Sequence, residues 1–494
     1  MPSPSTLPTS TFLHHGDPPP THRINLSLPP SSRYAALARQ YKSQLLSITS
    51  LFDDLVLSFL PPSFLPKIKW LARRFLRGVY DDEENAEVKG IADVTGVETY
   101  LVVALNVLLD LLMGCTSGAA LSSPSPSPFS SSHSRGEEDE VGTCMLHFRT
   151  LDWAMPALRA LLVNLEFVAD DRPDSPILAT SITYVGFVGV LTGVRRGLSV
   201  SLNFRPNHDA SSWVKQARFY GGHVAVLLGL RRSISSVLRG VVIPRSRPSR
   251  GRTYSLSLSQ TVSRITQTPT TACYIILSDG FQTTVLEKDR NTTKTYSSNS
   301  FIVATNSDRD AEAGILHPAV ATEQDSSMST STSSRQEHTG ALMTVGERVS
   351  IADFIEDSAE RRACMQARWD AKLAETNRDA ERRRRNAQTR RDPLGRTRSS
   401  RRREEAQGYS PAAAIHTAAS SSSSLAPSPS AISPEDSAPE PITVTATPEE
   451  IISWTTTYPT TNEMTHFAAV MDPVRGRVLW ARRYAEPLDC EGLE

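Results

Sequence analysis

Between Met145 and Thr305 the apolar residues arrive in short alternating runs, and this pattern most narrows what the chain can fold into. Met145–Trp153, Leu161–Ala169, Ile177–Tyr184 and Leu198–Phe204 come first, then Tyr274–Leu277, Thr283–Lys288 and Phe301–Thr305. Short length and β-branched content predict antiparallel strands. A strand-like start at Thr116–Leu121 precedes them. Helical spacing lies around the strands. Tyr34, Leu37, Ala38, Tyr41, Leu45, Ile48, Phe52 and Leu55 recur on one helical face over residues 31–60, behind the start signal Pro29-Pro30-Ser31-Ser32. Val214–Leu238 also predicts helix. The reading is an α+β protein with two stacked sheets flanked by helices.

The chemistry gathers at the boundary between helical and strand regions. Leu101–Met113 is strongly apolar and carries Asn106 and Asp110. It is far shorter than the roughly 20 residues that span a bilayer, so a buried helix is expected there. It leads into Gly114-Cys115-Thr116-Ser117. The Ser/Pro-rich, acidic stretch Ser122–Val141 is expected as an extended loop, and Arg149-Thr150-Leu151-Asp152 follows. A thiol at a helix-to-strand junction, then a strand ending in Arg-x-x-Asp, reads as an N-terminal nucleophile awaiting self-cleavage. Cleavage matters because a free α-amine titrates near pH 8 and a thiol near 8.5, so the amine can take the thiol proton. Base and nucleophile then share one residue. A lone Cys on an apolar segment is more commonly a structural one, so the surrounding residues must carry the assignment.

They do so through a resemblance. Arg23-Ile24-Asn25-Leu26-Ser27-Leu28-Pro29-Pro30-Ser31-Ser32-Arg33 is similar to the "NLDLPP-x-x-R" opening of the acid ceramidase and N-acylethanolamine acid amidase family. Glu87-Val88-Lys89-Gly90-Ile91-Ala92-Asp93-Val94-Thr95 resembles its "E-M-K-G-I-A-x-x-T" stretch, and Leu162–Phe167 its "LTVNLDF". Tyr184–Gly193 resembles "YVGMLTG", and Thr305-Asn306-Ser307-Asp308-Arg309 resembles "TNYDR". The similarity runs through most of residues 23–310 and, weakly, 445–490. It implies an αββα sandwich of the N-terminal-nucleophile hydrolase type and autocleavage at Gly114/Cys115. The two products would stay together as a heterodimer and cut the amide bond of an N-acylated lipid, ceramide or N-acylethanolamine. It further implies that Cys115 is the nucleophile, that Arg149 holds positive charge near the thiolate and that Asp152 orients the new amine. Asn306 falls on the oxyanion-stabilising Asn, and Arg361 on the first Arg of "DDRR". Three departures stand out. Phe204 replaces the Glu of "LNER", Ser307 replaces the Tyr of "TNYD", and Asn306 and Arg361 lie several times further apart in sequence.

Composition excludes other classes. Lys plus Arg and Asp plus Glu both number 53 in 494 residues, so overall charge favours neither nucleic acid nor anionic membrane. The five Cys (115, 144, 273, 364 and 490) make no C-x-x-C pair, and His residues are dispersed, so no metal or cofactor is expected. No phosphate-binding loop, dinucleotide fingerprint or Gly-x-Ser-x-Gly elbow occurs. The organisation expected is a disordered 1–22, a helical small-subunit region over 23–114 and a catalytic core over 115–310 and 445–490. A low-complexity, Arg-rich insertion fills 311–444. Within it Ser326–Ser334 and Ala418–Ser430 are expected to be disordered, and Arg361–Glu405 to form a solvated helix. Glu449–Trp454 and a hairpin over Thr465–Arg483 return to order. Leu65–Leu76 mixes basic and aromatic residues, which suits a peripheral membrane contact as well as ordinary packing. Met1–Pro20 has no apolar signal region, which makes a cytoplasmic location the default, whereas the resemblance implies a lysosome- or vacuole-type compartment. The competing function is an inactive or uncleaved relative whose Arg-rich segment binds nucleic acid. Sparse stacking aromatics and the lack of a nucleic-acid fold signature argue against it.

Overall fold

The computed structural model describes residues 16–108, 114–123, 142–153, 155–206, 208, 211–244, 255–310, 341–343, 348–391 and 443–490. The low-complexity segments Ser326–Ser334 and Ala418–Ser430, and nearly all of Ser122–Val141, lie outside these. Two sheets form the centre. The larger has eight strands in the order β1 (Thr21–Asn25), β4 (Leu162–Val168), β5 (Ile177–Tyr184), β6 (Thr192–Arg195), β7 (Leu198–Phe204), β8 (Cys273–Ser278), β9 (Thr283–Asp289), β10 (Thr292–Ser298). The smaller orders β11 (Phe301–Ala304), β2 (Gly114–Ser122), β3 (Cys144–Asp152), β14 (Thr465–Asp472) and β15 (Arg477–Arg483). All pairs are antiparallel except β1 with β4. A small separate pair, β12 (Ala341–Met343) and β13 (Arg348–Ser350), completes the strands among the described residues.

The sheets pack face to face because their strands alternate. Cys115, Ser117 and Ala119 pair in register with Leu151, Arg149 and His147, so these six share one face. That face meets β7, where His147 bonds Ser199 and Ser201 and Ser117 bonds Asn203. Thr116, Phe148 and Asp152 fall on the opposite face. Helices cover both outer sides. The helices α6 (Ile234–Val242) and α7 (Leu258–Gln267) lie on β6 to β8, and α9 (Pro448–Thr455) lies on β3 and β14. On the smaller sheet's outer side, Trp369 of α8 (Ile351–Arg391) stacks on Phe301 with ring centroids 5.1 Å apart. The αββα sandwich expected from the sequence is therefore the fold.

The helices depart from the expected rods in two places. Residues 31–60 keep the expected buried face but break into Pro30–Arg33, Ala35–Gln40, Lys42–Ser47 and α1 (Leu51–Phe59). The backbone leaves the helical region at Tyr34 (φ −97°, ψ 1°) and Tyr41 (φ −102°, ψ 18°). Val214–Leu238 is two helices, α5 (Trp213–Leu227) and α6. Gly229 separates them at φ +66°, and a Cβ there would meet the Gly78 carbonyl at 2.8 Å. Of the apolar run Leu101–Met113 before Cys115, the part up to Leu108 is helical as α4 (Thr99–Leu108), and residues 109–113 lie outside the described residues.

The region before Cys115 is tied to the rest by buried charges on α3 (Asp82–Thr95). Arg33 pairs with Glu83 and Glu87, and Arg239 of α6 donates to Glu87 at 2.8 Å. Ser236 donates to Glu84 at 2.8 Å. Burial pushes the Glu84 carboxyl up to about 7 although Arg239 pulls it down. Gly90, in the motif around Glu87, lets α3 meet the Pro30–Arg33 turn, since a Cβ there would sit 1.9 Å from the Ser31 carbonyl.

By contact density the chain forms two units, residues 1–369 with 445–494 and residues 370–444. The described part of the second is the end of α8, whose Arg382–Arg385 are exposed, and residues 443–444. Ser358, Arg361, Met365 and Trp369, at the start of that helix, belong to the first and are buried. Residues within the stretch expected as an insertion therefore pack on the core sheet.

Candidate active site

Cys115 is the second residue of β2 and is fully buried. Its backbone N–H donates to Asn306 Oδ1 at 2.7 Å, and its Sγ lies 3.7 Å from the Leu202 carbonyl. Burial pushes the thiol up to about 11, opposed by the nearby charge of Arg149. In the intact chain the sulfur is therefore held as a thiol.

Asn306 follows β11 and is fixed at both ends. Its Nδ2 donates to the Phe204 carbonyl at 2.8 Å, and its own N–H donates to Ser358 Oγ at 2.7 Å. Arg361 Nη2 donates to the same Oδ1 that holds Cys115, at 3.3 Å. The other Arg361 nitrogen, Nη1, donates to Asp152 Oδ2 at 2.5 Å, and Thr465 Oγ1 donates to Asp152 Oδ1 at 2.7 Å. Asp152 is wholly buried, which raises its carboxyl above the usual range against the pull of Arg361.

Arg149 lies on the inner face. Its Nη1 donates to Ser117 Oγ at 3.0 Å and to Asn203 Oδ1 at 2.5 Å, while Asn203 Nδ2 donates to the Ala304 and Thr305 carbonyls at 3.1 Å each. Nε and Nη2 of Arg149 are buried and find no acceptor among the described residues. Two places along the strand, burial and then the Arg149 charge push His147 down to about 3, so a neutral ring bridges the two serines.

All five residues singled out in the sequence, Cys115, Arg149, Asp152, Asn306 and Arg361, thus meet at one end of the smaller sheet. Both Asp152 oxygens are taken by Arg361 and Thr465, and the Cys115 nitrogen is held by Asn306. The three-residue spacing from Arg149 puts Asp152 on the outer face, which explains why it meets α8. Ser117, Asn203, Ser358 and Thr465 were missed by the sequence reading. Ser117 had a signal, its two-residue offset from Cys115 on a strand. Ser358 and Thr465 had none. The departures also have places: Phe204 supplies a carbonyl to Asn306, and the Ser307 hydroxyl lies 2.9 Å from that of Ser358.

Residues 17–80 match the family model for the beta subunit of N-acylethanolamine-hydrolyzing acid amidase. Acid ceramidase of Mus musculus is 32% identical over 216 residues, 41% of this chain and 49% of that protein. The N-acylethanolamine-hydrolyzing acid amidase of Caenorhabditis elegans is 29% identical over 201 residues, 38% of this chain and 49% of its own length. Over part of its length the chain is thus similar to acid ceramidases and N-acylethanolamine-hydrolyzing acid amidases. It spans about half the length of the curated relatives it matches. The solved C. elegans N-acylethanolamine-hydrolyzing acid amidase ortholog aligns with 73% of this chain and 93% of its own, at 16% identity and a TM-score of 0.38. The buried thiol with Arg149, Asp152, Asn306 and Arg361 around it is the candidate catalytic centre.

Proposed function

We propose that the chain is a self-processing cysteine amidohydrolase of N-acylated lipids. The observation that carries this reading is the Cys115 nitrogen, held by Asn306 Oδ1 inside a sealed cage of Arg361, Asp152 and Arg149. In the first stage Cys115 Sγ attacks the Gly114 carbonyl carbon, and the peptide C–N bond breaks to give a thioester and a free Cys115 amine. Water hydrolyses the thioester, leaving Gly114 as a carboxylate and restoring the thiol. In the second stage the α-amine takes the thiol proton and the thiolate attacks the substrate acyl carbon. Charge on the tetrahedral oxygen is met by the Asn306 amide, a type of contact worth about 2.7–4 kcal/mol in comparable sites. The Cys115 ammonium protonates the leaving amine, and water releases the fatty acid.

The substrate class draws support from the relatives' names, acid ceramidase and N-acylethanolamine-hydrolyzing acid amidase. It also draws support from an apolar pocket lined by Phe52, Leu101 and Leu105 together with Trp153 and Met155, which follow Asp152 in the chain. Such a lining suits an acyl chain. Outside it, α2 (Leu65–Phe75) and the turn before it expose Phe64, Trp70 and Phe75 next to Lys67 and Arg74, which suits a peripheral contact with the bilayer that holds the substrate. No single described helix is long and apolar enough to cross a membrane.

Intact mass of the wild-type chain and Cys115→Ala, after incubation at acidic and neutral pH, tests the reading. Two fragments meeting at Gly114/Cys115 in the wild type alone are expected, followed by release of fatty acid from ceramide or an N-acylethanolamine. A wild-type chain that stays whole under every condition overturns it.

A further inference from the structure

Away from the Cys115 cage, a cavity of about 190 Å³ opens between α5 and the β9–β10 turn. Its lining brings together Lys215, Arg218, Arg231 and Arg290 against a single carboxylate, Asp289. His223 adds no charge of its own at neutral pH, because burial holds its imidazole below the usual range and its Nδ1 donates to the Phe219 carbonyl. Cationic surfaces are ordinarily solvated, but two features set this one apart. Arg231 Nη2 and Arg290 Nε are buried donors for which the described residues provide no acceptor. Burial and then the nearby Arg290 charge hold the Arg231 guanidinium below its usual range, so the two like charges in this lining work against each other.

The backbone is also bent to this arrangement. Asp289 pairs with Thr292, so Arg290-Asn291 forms a two-residue hairpin turn, and Arg290 takes φ +50°. Gly, Asn or Asp normally fill such a position, and an Arg there is strained. On the facing helix Gly222 leaves room for the guanidinium of Arg231, since a Cβ would come within 3.2 Å of its Nη1.

We propose that this cavity is a binding site for a phosphate monoester. A carboxylate needs one guanidinium fork, whereas two forks and two further cations suit a group that carries close to two negative charges on three oxygens. The phosphate could belong to a soluble metabolite or to a lipid headgroup. The lipid source has its own support, because α5 exposes Trp213, Tyr220 and Val224 beside the cavity.

The test uses the full chain, with glycerol 3-phosphate titrated calorimetrically against a sodium chloride control of equal ionic strength. Saturable binding is expected, weakened about tenfold or more by Arg231→Gln and by Arg290→Gly. Arg290→Gly also relieves the turn, so it should melt no lower than the wild type and keep the test free of misfolding. Flotation with phosphatidylcholine vesicles, with and without phosphatidic acid, separates the sources. Phosphatidic-acid-dependent recruitment that both substitutions remove assigns the lipid; binding of glycerol 3-phosphate without it assigns a soluble phosphate. No saturable binding of glycerol 3-phosphate, or an affinity that neither substitution changes, overturns the site.

Discussion

Asp152 and Arg361 are both almost completely buried and paired at one edge of the cage. Removing one partner of such a pair leaves a stranded charge, which costs about 3–5 kcal/mol, while replacing both with neutral groups costs much less. Asp152→Asn and Arg361→Met are each expected to lower the denaturation midpoint sharply, and the double substitution to recover much of the loss. Additive losses in the double-mutant cycle would mean that the pair does not act as a unit. Legibility at this scale was uneven. Cys115, Arg149 and Asp152 lie in one short stretch with a recognisable spacing, and Asn306 sits in its own local motif. Arg361 could be found only through a decayed motif, because it reaches the site from a helix separated from Asn306 by a long intervening segment. Thr465 and Ser358 contribute single hydroxyls from ordinary surroundings, and nothing in the sequence marks a hydroxyl as the one that meets a carboxylate.

Among the elements, the strands were legible and the helix breaks were not. Period-two alternation is clearest in β7, because Ser199, Ser201 and Asn203 bond to the smaller sheet while Leu198, Val200 and Leu202 join the apolar core; β3 is buried on both faces, so its pattern is weaker. The aromatic spacing of Tyr34 and Tyr41 is the same for a continuous helix and for the broken one, so periodicity alone could not show the breaks. A prediction belongs to α3, where Glu84 meets Ser236 of α6. Its carboxyl is pushed up to about 7, above its unfolded value, so the protonated form is favoured in the folded chain. The stability from this group is fully present below about pH 4.5 and is lost as the pH rises through about 7. Glu84→Gln is therefore expected to melt progressively higher than the wild type as the pH is raised from 4.5 to 8, with the smallest difference at the acidic end. A gap that shrinks towards alkaline pH would contradict the sign.

For the whole molecule, the contacts across position 115 matter more than the peptide bond there. Strand β1 joins the larger sheet beside β4, and the Arg33, Glu87 and Arg239 charges link α3 to α6. After cleavage at Gly114/Cys115 the two fragments are expected to co-elute in native gel filtration and to separate only in denaturant. Fragments that part in native buffer would show that these links do not hold the products together.

Asn306 Oδ1 already faces the Cys115 nitrogen while that nitrogen is still an amide, and Arg361 keeps the oxygen in place. Under the self-processing proposed above, the seat for the mature terminus would be furnished before its occupant exists. Folding and activation would then be separate clocks: a cell could hold a folded, silent reserve of this protein and draw activity from it by a single bond scission, with no new structure to build.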